Sequence, residues 1–455
     1  MNKKNEIDMC SGPILGKLLK LAIPMIISSV LQLLFNAADI IVVGNFGSEN
    51  SVAAVGSTSS LVMLITNLFI GLSISANVLT SKYIGAKDYV KTSKTVHTSV
   101  FLSIVSGVIL NVIGFFFSGD MLKLMDSPDE VIELSTLYLR IYFFGMIAMM
   151  IYNFGSSILR SKGDTKRPLL FLTISGVVNV VLNLVFVIIF NMDVAGVALA
   201  TVISQWISAI LILICLFKEE APFKLSIKNL LPDARLVRLI LRIGIPAGLQ
   251  GVLFSVANVI LQSFINGFGP VTMAGCAAAG SIEAFAWVAM SAVSQAGLTF
   301  VSQNMGAGKF SRINRIALIS CSVSGLIGLV FGNLTYLFGP QLIALYDPRP
   351  EVVEPGMNRL FMICCFYFTC GLMDTLVGNI RGMGYSVMPT VVSLLGVCGI
   401  RILWAYTVFQ IPVFHNEFVL FMSYPISWAL TFVAHLICYL IVRKKYPKKD
   451  LCAVK

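Results

Sequence analysis

The sequence predicts an all-α polytopic membrane protein, with twelve transmembrane helices in two parallel six-helix repeats (lobes) around a central cleft. Three observations support this fold class. Hydrophobic residues make up 57% of the 455 residues and charged residues only 12%, about half the charged fraction of a soluble domain. Twelve apolar runs are long enough to cross a bilayer. The second half of the chain repeats the first at an offset of about 221 residues.

The apolar runs predict helices rather than barrel strands. At a rise of about 1.5 Å per residue, each run can cross roughly 30 Å of hydrocarbon. None consists of the ten-residue alternating segments that form membrane barrels. The predicted spans are 17–43, 52–80, 96–117, 132–158, 168–190, 195–217, 239–265, 272–301, 316–338, 357–380, 386–409 and 417–442.

The internal repeat defines the predicted domains. Matched positions in the two halves include Pro24 and Pro246, Asn36 and Asn258, Gly85 and Gly306, Arg160 and Arg381, and Pro168 and Pro389. Because each copy has an even number of spans, both copies enter the membrane in the same orientation, and the repeats are parallel. We expect an N-lobe with helices 1–6 over 1–217, a cytoplasmic linker over 218–238, and a C-lobe with helices 7–12 and a basic cytoplasmic tail over 239–455.

The basic residues predict the topology. Most of the 33 Lys and Arg residues lie in segments on the same side as the N-terminus. Only Lys123, Arg349 and Arg359 are assigned to segments on the opposite side. By the positive-inside rule, both termini are cytoplasmic, and we expect a multi-pass protein of the plasma (bacterial inner) membrane. The same rule explains the net charge of +11, so no nucleic-acid partner is expected.

Two short acidic loops are assigned to the outer side. Asp126 and Asp347 are predicted to cap the helices that follow them, with Glu130 and Glu351 in the first turns, where carboxylates are favourable. The alternative is an outer rim that recruits cations.

Polar residues within the first-lobe spans predict a shared site. Depths counted along the helices place Asp39, Asn179, Asn183 and Thr201 in the outer half of this lobe, and Asn179 and Asn183 lie one turn apart on one face. One carboxylate with amide and hydroxyl groups can hold Na⁺ or bind a proton. The alternative is that these groups only hold neighbouring helices together.

A second set of polar residues predicts a substrate site or second proton site. Glu283 lies near the predicted midplane, and Arg401 is close enough in depth for a structural ion pair with it. Gln32 and Asn36 in the first span, and Asn258 in the seventh, give these helices polar stripes. Asp374 lies nearer the inner end of its span, where capping a loop or extending to the membrane surface is favoured.

No nucleotide-driven mechanism or metal site is indicated. Gly306-Ala-Gly-Lys309 lacks the preceding Gly and the following Ser or Thr of a phosphate-binding loop. His97, His415 and His435 are far apart, and the cysteines lack metal-ligand spacing. We therefore expect no cofactor, and any transport to be driven by an ion gradient.

A series of short motifs, in order along the whole chain, resembles the MATE (multidrug and toxic compound extrusion) family. The motifs are Leu21-Ala-Ile-Pro24, Ala38-Asp39, Ser81-Lys-Tyr-Ile-Gly85-Ala86, Arg160-Ser-Lys-Gly163-Asp164, Asn179-Val-Val-Leu-Asn183, Gly196-Val-Ala-Leu-Ala200-Thr201, Ile282-Glu283, Gln303-Asn304-Met-Gly306-Ala307 and Arg381-Gly-Met-Gly384. The resemblance implies an antiporter, and not an enzyme, that exports amphipathic, often cationic compounds by alternating access in exchange for H⁺ or Na⁺.

The resemblance also implies an ion-coupling site in the N-lobe. Asp39, Asn179 and Thr201 match the family pattern, whereas Asn183 stands where many members have Asp. Since one of two carboxylates is missing, H⁺ is favoured over Na⁺ as the coupling ion. We expect small amphipathic substrates, contact with the lipid bilayer, and a monomer.

Two other functions stay open at this point. The first is a flippase for a lipid-linked sugar or another amphiphile on a related fold, for which Arg401 and Arg140 give slight support. The second is a membrane-embedded enzyme, which needs a cluster of carboxylates or His at the membrane surface. No such cluster is visible in the sequence, and a channel fits the repeated lobes less well than a cleft.

Overall fold

The computed structural model describes residues 6–48, 51–125 and 129–450, and almost all of the regular structure in them is helical. The α-helices are α1 Ile14–Phe46, α2 Ser51–Gly85, α3 Tyr89–Leu124, α4 Asp129–Phe143, α5 Met146–Ser161, α6 Lys166–Leu184, α7 Asp193–Phe217, α8 Ala234–Asn266, α9 Pro270–Gly306, α10 Ser311–Leu337, α11 Gly339–Tyr346, α12 Pro350–Cys364, α13 Tyr367–Gly382, α14 Val387–Ser393, α15 Ile400–Tyr406 and α16 Glu417–Lys444.

The predicted membrane spans are confirmed. Within the described ranges, ten helices are long and apolar enough to cross a membrane, or up to twelve if each of two bent pairs forms one span. The bent pairs are α4 with α5, at 48°, and α12 with α13, at 45°. Two spans contain a turn of π-helix, at Val185–Ile189 after α6 and at Leu394–Gly399 between α14 and α15. Such turns are frequent near functional sites.

Packing divides the chain into two compact units. The first comprises Met1–Asp8 and Ile27–Gly248, and the second comprises Met9–Ile26 and Leu249–Lys455. Two of the three divisions therefore fall inside α1 and α8, and the third lies between Asp8 and Met9, before α1. The linker predicted over 218–238 corresponds to a connection over 218–233, because α8 already begins at Ala234.

This connection is packed onto the first unit. Phe223 and Leu225 are buried in a core formed mainly by α3, α5 and α7. The backbone N–H of Ser226 donates to Nε2 of His97 at 3.0 Å, and the backbone N–H of Asp233 donates to Oγ1 of Thr98 at 3.2 Å. Thus His97, which the sequence left without a role, holds the connection against α3.

An ion-pair network closes the same end of the first unit. Lys162 Nζ lies 2.7 Å from a carboxylate oxygen of Glu219 and 3.4 Å from one of Glu6. Arg167 also pairs with Glu219, and with Asp164. Burial raises the pKa of the Glu219 carboxyl, but the hydrogen bonds and positive charges of Lys162 and Arg167 outweigh it and hold the pKa below its usual value.

In the second unit, helices approach closely at glycines spaced four residues apart. A Cβ atom on Gly332 would lie 2.0 Å from the carbonyl oxygen of Cys364, and one on Gly328 would lie 2.8 Å from the backbone of Phe368. Gly378 and Gly382 of α13 meet α9 in the same way. Small residues at this spacing let membrane helices pack backbone to backbone.

The predicted helix cap at Asp347 is wrong. The residue before α12 is Arg349, and no side chain caps this helix. Asp347 instead accepts from the backbone N–H of Arg349 at 3.1 Å and pairs with its guanidinium at 2.6 Å, which lowers the pKa of Asp347 to about 2. Glu351 does lie in the first turn of α12, as predicted. Asp126 lies outside the described residues.

Candidate functional site

The structure brings Asp39, Asn179, Asn183 and Thr201 together inside the first unit. The Asn183 amide donates to Oδ1 of Asp39 and to Oδ1 of Asn179, the latter at 3.3 Å. The Thr201 hydroxyl lies 3.4 Å from Oδ2 of Asp39 and 3.4 Å from the Asn179 amide nitrogen. Asp39 is 9% exposed and Asn183 is fully buried. These four side chains, called the Asp39 cluster below, join α1, α6 and α7.

Local sequence explains how the three helices place these groups. On α6, Asn179 and Asn183 are one turn apart, so both amides lie on the same face. On α7, the single O–H of Thr201 has two acceptors within reach, the carbonyl of Val197 at 2.9 Å and Oδ2 of Asp39 at 3.4 Å. Phe35, one turn before Asp39 on α1, lies against Gly176 of α6, where a Cβ atom would come within 1.8 Å of its ring.

The carboxylate of Asp39 has only neutral partners. None of the ion pairs found among the described residues includes it. Oδ1 of Asn183 is also buried and has no hydrogen-bond partner in the described part of the chain. The cluster therefore combines one acid without a counter-charge and one free acceptor, an arrangement that can take up a proton or a small cation.

Glu283 pairs with Arg359 rather than with Arg401. Nε and Nη2 of Arg359 donate to Oε1 and Oε2 of Glu283 at 2.9 and 3.0 Å, which joins α12 to α9 inside the second unit. Both side chains are largely buried, at 14% and 8% exposure. The charge pattern of the sequence assigns Arg359 to an outer segment, so the predicted contacts do not include this pair. The position of Arg359 beside the apolar run Leu360-Phe-Met-Ile363 was the available signal.

Arg401 lies in a different, aromatic environment, so the considered Glu283–Arg401 pair is wrong. Its guanidinium carbon lies 4.0 Å from the ring centroid of Tyr424 and 5.2 Å from that of Trp428. Its Nε donates to the Ser427 hydroxyl at 2.9 Å. Aromatic faces attract a cation and partly offset its desolvation. Arg401 is thus held against α16 by neutral groups.

The remaining predicted site residues are separate from both acids. Gln32, Asn36 and Asn258 are exposed on α1 and α8. Amide side chains exposed to lipid cost free energy, so their positions indicate helix faces that line a water-filled space. Asp374 is half-buried on α13, where its backbone carbonyl accepts from the Ser294 hydroxyl at 2.9 Å.

Comparison with known proteins agrees with the two-repeat fold. The family model MatE matches the chain twice, over residues 24–185 and 246–407. A protein of Bacillus subtilis named as the probable multidrug resistance protein YoeA is 28% identical over 387 residues, 84% of each chain. One of Thermotoga maritima named as the probable multidrug resistance protein NorM is 26% identical over 407 residues, 88% of this chain and 87% of the relative.

Solved structures show the same fold. An outward-facing structure of a multidrug resistance MATE family transporter has a TM-score of 0.91 and 22% identity, and the alignment covers 98% of this chain and 99% of the other. Since both matches of the family model together span most of the sequence, this chain belongs to the MatE family of membrane transporters.

Proposed function

We propose that this protein is a proton-coupled antiporter of the plasma (bacterial inner) membrane that exports amphipathic, often cationic compounds by alternating access. The proposal rests on the buried Asp39 carboxylate, which has hydrogen-bond donors and no counter-charge among the described residues. The relatives named as multidrug resistance proteins support the substrate class.

An acid in this position is suited to energy coupling. An ionised carboxylate buried away from water costs free energy unless a proton or cation neutralises it. Proton binding to the Asp39 cluster therefore changes the relative stability of conformations that differ in the access of water to it. Only a ligand with different affinity for two states can shift their balance, and a buried acid gives the proton such a difference.

The composition of the Asp39 cluster, with a single carboxylate, favours H⁺ over Na⁺. The Asn183 amide and the Thr201 hydroxyl both lie within hydrogen-bonding distance of the carboxylate. Na⁺ requires several oxygen ligands, but the amide nitrogen of Asn183, rather than its oxygen, faces the only carboxylate of the cluster. When Asp39 is protonated, rotation of the Asn183 side-chain amide would exchange its nitrogen for its oxygen. That oxygen would then accept the hydrogen bond from the Asp39 carboxyl group.

Glu283 is proposed as a substrate site rather than a free proton site. Its bidentate pair with Arg359 already neutralises the carboxylate. A cationic substrate must then compete with Arg359 for Glu283. We propose that Gln32, Asn36 and Asn258 add polar contacts along the substrate path, with Arg401 as a fixed positive charge.

The test is efflux of a cationic dye from proteoliposomes with ΔpH or ΔNa⁺ imposed separately. ΔpH alone is expected to drive efflux, and Asp39→Asn to abolish it while leaving dye counterflow, which needs no gradient. Asp193→Asn is the matched control. Asp193 is the first residue of α7, accepts hydrogen bonds from the hydroxyls of Ser48 and Ser51, and lies outside the Asp39 cluster.

Three results would contradict the proposal. Full ΔpH-driven efflux by Asp39→Asn removes the coupling role of this residue. Efflux driven by ΔNa⁺ and not by ΔpH identifies Na⁺ as the coupling ion. Accumulation of a lipid-linked intermediate in a deletion strain, with no dye transport, would instead favour the flippase function.

A further inference from the structure

A basic cavity lies in the second unit where α10 begins and α16 ends. It has a volume of about 410 Å³, and its lining includes Ser311, Asn314, Leu440, Arg443, Lys444, Tyr446 and Lys448. This volume is within the range of small-molecule sites. Three of the lining side chains are cationic, and the antiport proposed above uses none of them.

Arg443 is the unusual member of this cavity. It is 7% exposed, and all of its acceptors are neutral. They are Oδ1 of Asn314 at 3.1 Å and the carbonyls of Phe310, Tyr446 and Pro447 at 2.9, 3.0 and 3.0 Å. No ion pair found in the described residues includes Arg443. A buried guanidinium without a counter-ion is costly, and an anion in the cavity would remove that cost.

Contacts among the residues around the cavity define its shape. The ring of Tyr446 stacks on that of Phe310 with centroids 5.6 Å apart, which folds the residues after α16 back onto α10. The Tyr439 hydroxyl donates to Oδ1 of Asn314 at 2.9 Å, beside Nε of Arg443. Because Oδ1 is thereby used as an acceptor, the Asn314 amide keeps its N–H groups as donors.

The N-terminal end of α10, beside the cavity, is already bound by a carboxylate of the protein. Asp450 accepts from the backbone N–H of Ser311 at 2.8 Å, at the start of α10. An anion in the cavity therefore has to be held by Lys444, Lys448 and side-chain hydroxyl or amide groups, rather than by the helix terminus. Arg443 adds its positive charge and one N–H, because its other four N–H groups already donate to the protein. Arginine and lysine together are suited to phosphate oxygens.

We propose that this cavity binds a phosphate ester, with an anionic phospholipid headgroup of the cytoplasmic leaflet as its source. The predicted topology places the ends of these helices on the cytoplasmic side, where basic pockets between helices bind anionic headgroups. Next to the cavity, α16 has an apolar face of Ile437, Leu440 and Ile441, each about half exposed, and Leu440 also lines the cavity. A lipid seated by its phosphate would lay its acyl chains on this apolar face.

The experiment measures lipid binding to the full-length protein in detergent by native mass spectrometry. The probes are dioctanoyl phosphatidylglycerol, dioctanoyl phosphatidylcholine and glycerol phosphate. Lys444→Gln with Lys448→Gln removes two exposed cavity charges and leaves buried Arg443 intact. Lys445→Gln with Lys449→Gln is the matched control, because it removes the same charge from the same segment outside the cavity lining.

Phosphatidylglycerol is expected to bind the wild-type protein and the control with equal affinity, and the cavity variant at least about tenfold more weakly. Phosphatidylcholine is expected to bind all three weakly and equally. Equal phosphatidylglycerol affinity for the two double variants would overturn the site, since the attraction is then diffuse surface charge. If glycerol phosphate matches the lipid in affinity and in sensitivity to the cavity variant, phosphate recognition stands and the lipid source is wrong.

Discussion

The carboxylate of Glu283 and the guanidinium of Arg359 meet through two parallel hydrogen bonds of 2.9 and 3.0 Å. No equivalent cation accompanies Asp39 in the described part of the first unit, where the carboxylate is held by amide and hydroxyl groups. Glu283 and Asp39 are therefore in opposite electrostatic environments, one with an internal cationic partner and one with neutral partners only.

The Glu283–Arg359 pair predicts strong energetic coupling. Glu283→Gln or Arg359→Gln alone is expected to lower the free energy of unfolding by about 3–5 kcal/mol, because each leaves a buried charge without its partner. The double variant is expected to lose less than the sum of the two. Denaturant unfolding of the purified protein in detergent gives the double-mutant cycle. Strict additivity would show that the two side chains do not interact.

A second carboxylate in the Asp39 cluster is expected to change the coupling ion. Asn183→Asp places two acids next to each other, which repel as a pair and bind Na⁺ between them. Efflux driven by ΔNa⁺ alone should appear in this variant. The exchange Asp39→Asn with Asn183→Asp keeps a single carboxylate, and it should gain no Na⁺ dependence in the same proteoliposome assay. If this exchanged variant gains Na⁺ dependence as well, carboxylate number does not set ion choice.

The glycine contacts of α10 predict a position-specific loss of stability. Gly332→Ala is expected to cost about 1–3 kcal/mol, since its methyl group would overlap the carbonyl of Cys364. Gly119→Ala on α3 is the control, because a Cβ there makes only ordinary contacts at 3.7 Å or more. Helix propensity alone favours Ala at both sites. Equal thermal midpoints for the two variants would show that the α10 contact tolerates a methyl group.

The Lys162–Glu219 network predicts a loss of stability in acid. Because the pKa of Glu219 is lowered on folding, its ionised form contributes stability above the unfolded value of 4.5, and this contribution disappears as the pH falls through the folded pKa. The wild-type protein should therefore exceed Glu219→Gln in thermal midpoint at pH 7, and the difference should vanish well below pH 4.5. A difference that stays constant into strong acid would contradict this assignment.

The spans and the repeat were predictable because they depend on local composition. An apolar run of sufficient length has few alternatives to a membrane helix. Asp39, Asn179, Asn183 and Thr201 were also found by counting depth along straight helices. This counting succeeds because Asn179 and Asn183 precede the π-helical turn at Val185–Ile189, and Asp39 and Thr201 lie on other helices. A π-helical turn rotates the side chains that follow it in the same helix.

The Glu283–Arg359 pair was not predictable in the same way. It depends on how α12 packs against α9, ahead of the 45° bend between α12 and α13, and composition carries no sign of that bend. Depth alone favoured Arg401, yet Tyr424 and Trp428 hold its guanidinium against α16. Direction around a helix axis, rather than depth along it, decided which cation reached Glu283.

The packed connection between the repeats bears on how this protein can be divided for split-gene complementation. Phe223 and Leu225 belong to the core of the first unit, and His97 and Thr98 bind the backbone on either side of Ile227–Asn229. A break directly after α7 would strip those side chains from the fragment that buries them. Leu231 and Pro232 are exposed, so a break between them keeps Phe223, Leu225 and the Ser226–His97 bond in the first fragment. The second fragment then has to supply Asp233 and the first part of α8, which belong to the first unit.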